Sequence, residues 1–139
     1  MFKRILIAND GSEGAARALS AAISLAKEHG AELHMISVEE MPRFPVSVDE
    51  VVEERLDAEH RYEPVIARAL AQAQAQGIKL ATHVLPGHAV ASILEFVARE
   101  KFDLLVVGYM GHSALYNRLI GGTTDRLVEH APCNVLVIK

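Results

Sequence analysis

The residues whose types and spacing are best suited to chemistry lie in one glycine-rich segment, residues 104–126, which reads LLVVGYMGHSALYNRLIGGTTDR. Its first four residues are apolar and predict a buried strand, after which Gly108, Gly111 and the pair Gly121-Gly122 follow. Glycine lets the backbone come close to a ligand, and a helix start presents free N–H groups to an anion. A strand, a glycine-rich loop and a helix therefore predict a phosphate-binding loop.

Several polar groups in this segment are candidate phosphate ligands. They are the backbone N–H groups of Gly121 and Gly122 and the hydroxyls of Thr123 and Thr124, although one threonine can simply cap the helix. His112 lies inside the loop and can bring positive charge to the phosphates, or it can face solvent.

The glycine spacing leaves a second interpretation open. It is not the spacing of a P-loop or of a dinucleotide fingerprint, and no lysine follows the last glycine. From spacing alone, Gly108 and Gly111 can equally serve only a tight exit from the strand.

Hydrophobic periodicity predicts the elements that must position this loop. Five strands alternate with four helical stretches, which predicts one domain over residues 1–139, an α/β fold with an open parallel sheet and helices on both faces. Pro86-Gly87 is expected to turn the chain, and Pro64 to kink a helix or begin a new one. The predicted strands cover residues 4–8, 33–38, 78–85, 102–107 and 134–138, and the helices residues 13–29, 49–76, 88–100 and 123–130, with an irregular loop at 39–48.

A second candidate loop follows the first strand. If the strand order is 3-2-1-4-5, the order reverses between the first and fourth strands, and ligands of such sheets bind at that reversal. Asn9 and Asp10 would then face the glycine-rich loop across a crevice. Asp10 is the one carboxylate predicted there, suited to a ribose hydroxyl or to a metal ion carried by phosphates. The alternative is an Asx turn that caps the first helix together with Ser12.

Composition excludes several other classes of function. A net charge of −4 gives neither the basic surface that nucleic acid requires nor a polybasic membrane patch. The single cysteine, Cys133, fits a reducing compartment, and no apolar run is long enough for a signal peptide or membrane helix, so we expect a cytoplasmic protein. Neither the histidine spacing nor the serine context suggests a catalytic site, so we expect no enzyme.

The residues also resemble those of the universal stress protein family of the UspA type, over the whole length. The resemblance rests on KRILIANDGS at the start, PGHAVASIL in the middle and DLLVVGYMGHSALYNRLIGGTTDRLVEHAPCNVLVIK at the end. The ATP-binding branch of that family carries Gly-x2-Gly-x9-Gly followed by Ser or Thr, and Gly108, Gly111 and Gly121 match it. Gly122 departs from the motif because it stands where the family has its hydroxyl, which removes one side-chain hydrogen bond to phosphate.

The resemblance implies a fold and a function. The fold would be the Rossmann-like, adenine nucleotide α-hydrolase-like sheet of order 3-2-1-4-5. ATP, AMP or another adenine nucleotide would bind, with Asp10 near it or near its Mg²⁺, and with Ala8 and Val38 lining the adenine. The chain would form a homodimer by pairing the strand from Asn134 to Ile138 and would act in stress resistance or signalling without clear turnover.

Two other functions remain open at this point. Gly122 favours an interaction module that keeps the fold and the dimer but binds no nucleotide. A very slow ATP hydrolase, with Asp10 holding the metal, is the other, although no residue is evidently placed to activate water.

Overall fold

A computed structural model describes residues 1–40, 48–109 and 122–139, and for residues 48–59 it describes the backbone alone. The candidate residues Gly111, His112 and Gly121 lie outside the described residues, as does most of the predicted loop at 39–48. The strands are β1 (Arg4–Ala8), β2 (Glu32–Glu40), β3 (Leu80–Gly87), β4 (Leu104–Gly108) and β5 (Asn134–Ile138), and the helices are α1 (Glu13–His29), α2 (Val48–Ala75), α3 (Ala89–Glu100) and α4 (Gly122–His130).

The five strands form one parallel sheet in the order β3-β2-β1-β4-β5, which confirms the predicted fold class. From β1 the chain moves outward through β2 to β3, and it then crosses to the other side of β1 to form β4 and β5. The reversal point is therefore the boundary between β1 and β4, where Ile5 lies opposite Leu104.

Two helix layers cover the sheet, one on each face. Ile5 and Ile7 of β1 are fully buried against α1 and α2, and Leu6 between them is fully buried against α3 and α4. Such uninterrupted apolar strands are typical of parallel sheets that are covered on both sides. The α1 residues that meet the sheet are mostly alanines, and their small size lets the helix axis lie close to the strands.

Local signals explain the bounds of α1. The Ser12 hydroxyl accepts a hydrogen bond from the Ala15 N–H at 3.2 Å, so Ser12 is the N-cap as predicted. Gly30 ends the helix in the left-handed conformation, with φ of 65°. A side chain at that backbone angle would be strained, so glycine stops the helix there.

The end of β3 differs from the prediction, because Pro86 and Gly87 extend the strand instead of turning the chain. Asn9 N–H donates to the Ile36 carbonyl at 2.9 Å, so even-numbered β2 residues bond to β1 and odd-numbered ones to β3. Glu39 lies opposite Pro86, and its bonds go to the residues on either side of that proline. Pro86 therefore faces outward at the sheet edge, where its missing N–H breaks no ladder bond.

Helix α2 is one continuous element, Val48–Ala75, with Pro64 inside it. Of the two alternatives predicted for Pro64, the start of a new helix is therefore wrong. Ala69 and Ala73 in its last turns are almost completely buried against the sheet, which anchors the helix after the proline.

Candidate functional site

The turn after β1 is closed by its own side chains. Asn9 is 6% exposed, and its Oδ1 accepts from the Gly11 N–H at 2.9 Å while its amide reaches the Met35 sulfur at 3.4 Å. Gly11 has φ of 84°, a backbone angle that favours glycine. The Asn9 N–H donates to the Ile36 carbonyl and the Asn9 carbonyl accepts from the Ser37 hydroxyl at 2.7 Å. The polar groups of Asn9 therefore hold the turn, and its role toward a ligand stays a prediction.

Asp10 forms the Asx turn, which is one of the two roles that the sequence predicts for it. Its Oδ1 accepts a hydrogen bond from the N–H of Ser12, the residue immediately before α1, at 3.0 Å. The residue is half-buried at the carboxyl end of β1, so the structural role is present and the carboxylate also lies at the crevice. Its role toward ribose or a metal ion stays a prediction.

Gly108 ends β4 in close contact with the first turn of α1. A Cβ added at Gly108 would lie 2.7 Å from the carbonyl carbon of Gly14 and 2.8 Å from its oxygen. Since both atoms are backbone atoms of a helix, no side-chain movement could relieve this overlap. Packing alone therefore requires glycine at this position, whether or not a phosphate binds nearby.

The start of α4 is tied to the same strand end. The Thr124 hydroxyl donates to the Gly108 carbonyl at 2.9 Å. A hydroxyl has one proton, so in this arrangement the Thr124 side chain donates to Gly108, and its candidate role toward a phosphate stays a prediction. Thr123 is exposed and keeps that candidate role.

Gly122 is the first residue of α4 and is exposed. Among the residues that the structure describes, and apart from the adjoining backbone, no atom lies within 4 Å of the position that a Cβ would take there. The described part of the chain therefore does not obstruct the hydroxyl side chain that the family motif carries at this position. Asp125 also lies in the first turn of α4, where its charge favours the helix dipole.

The apolar candidates lie at the strand ends on the α3 and α4 face. Ala8 ends β1 and Val38 stands near the end of β2, and both are half-buried against the cluster that includes Val107 and Leu85. Together they form an apolar surface beside the Asp10 turn.

Helix α2 contributes a wall to this crevice that the sequence prediction missed. Tyr62 is 7% exposed, and its hydroxyl donates to the Val38 carbonyl at 3.3 Å. Arg61, the preceding residue, forms an ion pair with Glu39 at the end of β2. Residues 49–63 are rich in charged side chains, a pattern that favours a solvated helix face, and the tyrosine among them was the available signal of a buried contact.

The surroundings of the Tyr62 hydroxyl are acidic. Burial raises its pKa above the ordinary value, and the negative charges of Glu39 and Asp10 raise it further, against the opposing charge of Arg61. Tyr62 therefore stays protonated and remains a hydrogen-bond donor at neutral pH.

A histidine pair lies away from the crevice, on the α3 face of β2 and β3. His34 Nδ1 lies 3.0 Å from His83 Nε2, and their stacked rings contact Phe96 and Phe102. Burial lowers the pKa of His83, and His34 and Arg99 lower it further, while Glu100 opposes them.

Within the described residues, no three His, Cys, Asp or Glu side chains are grouped so that they could hold a metal ion.

Burial raises the pKa of the Cys133 thiol, which disfavours the reactive thiolate. No helix of the described chain combines the length and apolar character needed to cross a membrane.

Comparison with known proteins agrees with this architecture. A model of the universal stress protein family matches residues 1–139. The chain belongs to the universal stress protein family. Universal stress protein MJ0531 of Methanocaldococcus jannaschii is 33% identical over 143 residues, covering 100% of this chain and 83% of the relative. The solved structure of UspA from Lactobacillus plantarum has a TM-score of 0.88 at 28% identity and covers 99% of this chain and 98% of its own.

Two further structures of this fold contain a nucleotide. One is a universal stress protein in complex with cAMP, with a TM-score of 0.76 and 22% identity, covering 99% of this chain and 97% of that one. The other, from Arabidopsis thaliana, has AMP bound, with a TM-score of 0.64 and 17% identity, covering 99% and 91%. At these identities the likeness concerns the fold alone.

Proposed function

We propose that this protein binds an adenine nucleotide, with ATP as the first candidate, and acts in the cytoplasm in stress response or signalling as a homodimer. The observation that carries the proposal is the meeting of two loops at the reversal point of the sheet. The Asp10 turn follows β1, and the first turn of α4 is held to the end of β4 by the bond from Thr124 to Gly108. This is where open parallel sheets bind their ligands.

The parts of the crevice match the parts of a nucleotide. The α4 start offers the Gly122 N–H and the Thr123 hydroxyl to phosphates, together with the positive end of the helix dipole. Ala8 and Val38 offer apolar surface to the base. Gly111, His112 and Gly121 complete the phosphate loop in this proposal, on the family motif alone.

The choice of an adenine nucleotide draws on two sources. The glycine spacing matches the ATP-binding branch of the family, and two proteins of the same fold bind cAMP or AMP. Asp10 would then bind the ribose hydroxyls or the Mg²⁺ that accompanies the phosphates.

We assign recognition rather than turnover to this crevice. The Asp10 carboxylate already accepts a bond from the Ser12 N–H, and among the described residues we identify no side chain positioned to activate water against a γ-phosphate. Phosphate release above that of the buffer alone would instead support the slow hydrolase.

The homodimer would form through β5. This strand stands at the sheet edge and pairs with β4 on one side only. Its apolar residues are only half-buried in the single chain. An apolar edge strand of this kind favours pairing with a second copy.

The test combines identification of a bound ligand with titration. Nucleotide released from the purified protein by acid is separated by chromatography, and the protein is then titrated with ATP by calorimetry, with and without Mg²⁺. We expect an adenine nucleotide or a binding heat. Neither signal at about 1 mM ATP, a concentration that detects even weak sites, would contradict the proposal and favour the nucleotide-independent interaction module.

The variant Asp10→Asn sharpens this test. Asparagine can accept the same bond from Ser12, so the turn is kept while the negative charge is lost. If Asp10 holds the metal, the variant weakens binding of ATP with Mg²⁺ and leaves binding of ATP alone unchanged or stronger. An equal loss under both conditions would assign Asp10 to the ribose instead.

A further inference from the structure

The histidine pair joins two neighbouring strands on the α3 face of the sheet. His34 belongs to β2 and His83 to the edge strand β3, where its register partner is Ile36, two residues after His34. The Nδ1 atom of His34 lies 3.0 Å from the Nε2 atom of His83, and the two ring planes differ by 4°. Imidazole nitrogens from two different strands therefore face each other directly.

The separation of these nitrogens is close to the one that a shared metal ion requires. Zinc binds imidazole nitrogen at about 2.0–2.1 Å, so two nitrogens at a tetrahedral angle on one ion lie about 3.3–3.4 Å apart. The two rings would have to separate by roughly 0.3–0.4 Å and tilt until both lone pairs point at the ion. The torsion that turns a histidine ring has broad minima, so the side chains can make a rearrangement of this size.

A carboxylate lies beside the outer nitrogen of His34. Glu32 Oε2 is 3.6 Å from His34 Nε2, which is an ion-pair contact rather than a hydrogen bond. Its negative charge favours a hydrogen on Nε2, and the Nδ1 atom then carries the lone pair that is directed at His83. Metal-bound histidines commonly have a carboxylate in this place, where it fixes the tautomer. Glu32 therefore favours the form of His34 that can bind a metal ion.

The protons of the pair allow a metal ion to enter. Burial lowers the pKa of His83, so its ring is neutral and carries one hydrogen at neutral pH. In the metal-free pair this hydrogen lies on Nε2, between the two rings. When a metal ion binds Nε2, the hydrogen moves to Nδ1 by exchange with water, and no net proton is released.

The neighbouring charges are nearly balanced. Arg4 and Arg99 lie over the two phenylalanine rings that contact the histidines, and their positive charges disfavour a cation. Each arginine has a carboxylate partner, Glu32 for Arg4 and Glu95 for Arg99. The His34 side chain is 18% exposed, so an ion can reach the pair from solvent.

We propose that His34 and His83 form a binding site for a divalent transition-metal ion such as Zn²⁺, which links β2 to the edge strand β3. Imidazole ligands suit Zn²⁺, Cu²⁺ and Ni²⁺, whereas Mg²⁺ takes oxygen ligands and is not bound here. Water completes the coordination, so the site is weaker than a structural site with four protein ligands. The site is separate from the crevice and does not depend on nucleotide binding.

The test is a Zn²⁺ titration of protein that has been stripped with EDTA, without nucleotide. Calorimetry with Zn²⁺ up to about 0.1 mM detects sites with micromolar dissociation constants. We expect the natural protein to bind one more equivalent of Zn²⁺ than either His34→Gln or His83→Gln, and we expect no such difference with Mg²⁺. Zn²⁺ should also raise the Tm of the natural protein more than that of either variant, because it binds the folded state.

His60→Gln is the matched control. His60 is an exposed histidine of α2 whose Nδ1 lies 3.5 Å from Glu63, so the control removes an imidazole with a carboxylate partner elsewhere. We expect it to bind as many equivalents of Zn²⁺ as the natural protein. Thermal unfolding of each metal-free protein shows whether the variants are folded.

Glu32→Gln examines the carboxylate separately. Loss of such a partner lowers metal affinity about 10- to 100-fold, and we expect the lower end because the contact is 3.6 Å long. Unchanged Zn²⁺ affinity would overturn the role given to Glu32.

Two results would overturn the site itself. One is a natural protein that binds no Zn²⁺ in this range. The other is equal Zn²⁺ binding by the natural protein and by both folded histidine variants, which would mean that the pair is a hydrogen bond only. ATP titrations of His34→Gln and His83→Gln should match that of the natural protein, so this inference and the proposed function can fail independently.

Discussion

The contact between the end of β4 and the start of α1 leads to a prediction about Gly108→Ala. The added methyl group would lie 2.7 Å from the Gly14 carbonyl carbon, whereas carbon atoms in contact are separated by about 3.5–4.0 Å. Strand and helix must therefore separate by roughly 0.8 Å. Since Gly14 is itself buried in the first turn of α1, the movement displaces the helix and not a side chain.

The expected loss of stability follows from this overlap. Overfilling a packed interior lowers the free energy of unfolding by about 1–3 kcal/mol. For a chain of 139 residues this corresponds to a decrease in Tm of about 3–12 °C. Urea and thermal unfolding followed by circular dichroism measure both quantities without any nucleotide.

Gly122→Ala is the matched control, because it adds the same methyl group where, apart from the adjoining backbone, no atom of the described residues lies within 4 Å. Alanine also favours helix more than glycine does, by up to about 1 kcal/mol in a helix interior, so we expect unchanged or slightly higher stability. Gly108→Ala with the stability of the natural protein would refute the packing argument. If the argument holds, variants at Gly108 disturb folding and are poor controls for nucleotide binding.

Three further predictions concern the crevice, the sheet edge and the histidine pair. Gly122→Ser places the family hydroxyl where the described residues beyond the adjoining backbone leave the Cβ position clear. It should tighten ATP binding measured by calorimetry by about 10- to 150-fold, the range of one hydrogen bond to a charged group. Unchanged affinity would mean that phosphate does not reach α4. Val137→Pro should give a monomer of native secondary structure by light scattering, since the Val137 N–H faces away from β4. Leu136→Pro should unfold the strand instead, because Leu136 has the parity of Ile138, whose carbonyl accepts from the N–H of Tyr109, the residue after β4. A dimeric Val137→Pro variant would exclude pairing through this edge. Burial lowers the pKa of folded His83 below its unfolded value, so the unfolded chain binds the proton more readily. The free energy of unfolding should therefore be highest with respect to this group above about pH 6.5, and it should decrease as the pH falls toward the folded pKa. Urea unfolding over this range should show a weaker pH dependence in His83→Gln, and an equal dependence in both proteins would count against the assignment.

The sequence was sufficient for the fold where local and periodic signals agree. The bounds of β1, α1 and β5 were predicted correctly, because uninterrupted apolar runs mark the strands while Ser12 and Gly30 mark the ends of the helix. The end of β3 was predicted wrongly, since proline and glycine usually mark turns. Whether Pro86 breaks a strand depends on which side its missing N–H faces, and only the sheet order decides that.

The candidate site was predictable in place but not in all of its parts. The reversal point follows from topology, so Asp10 and the end of β4 could be brought together in advance. The reason for glycine at position 108 could not be predicted from its spacing, because the sequence does not show that the Gly14 backbone fills the space of a Cβ there. Tyr62 was missed because its contact with Val38 joins residues that are distant in sequence and lies in a charged segment.

The two edge strands of the sheet, β3 and β5, differ in their free main-chain groups, and this difference limits how several chains can associate. On β3 the outward-facing Pro86 lacks the donor that an incoming strand would need, while β5 offers an uninterrupted row of main-chain groups. In a two-fold dimer that pairs through β5, the β5 edge strands of both chains are occupied. The outer edges of the dimer would then be β3 strands, where Pro86 interrupts the row of donors, so addition of a third copy is less favoured than the pairing of the first two.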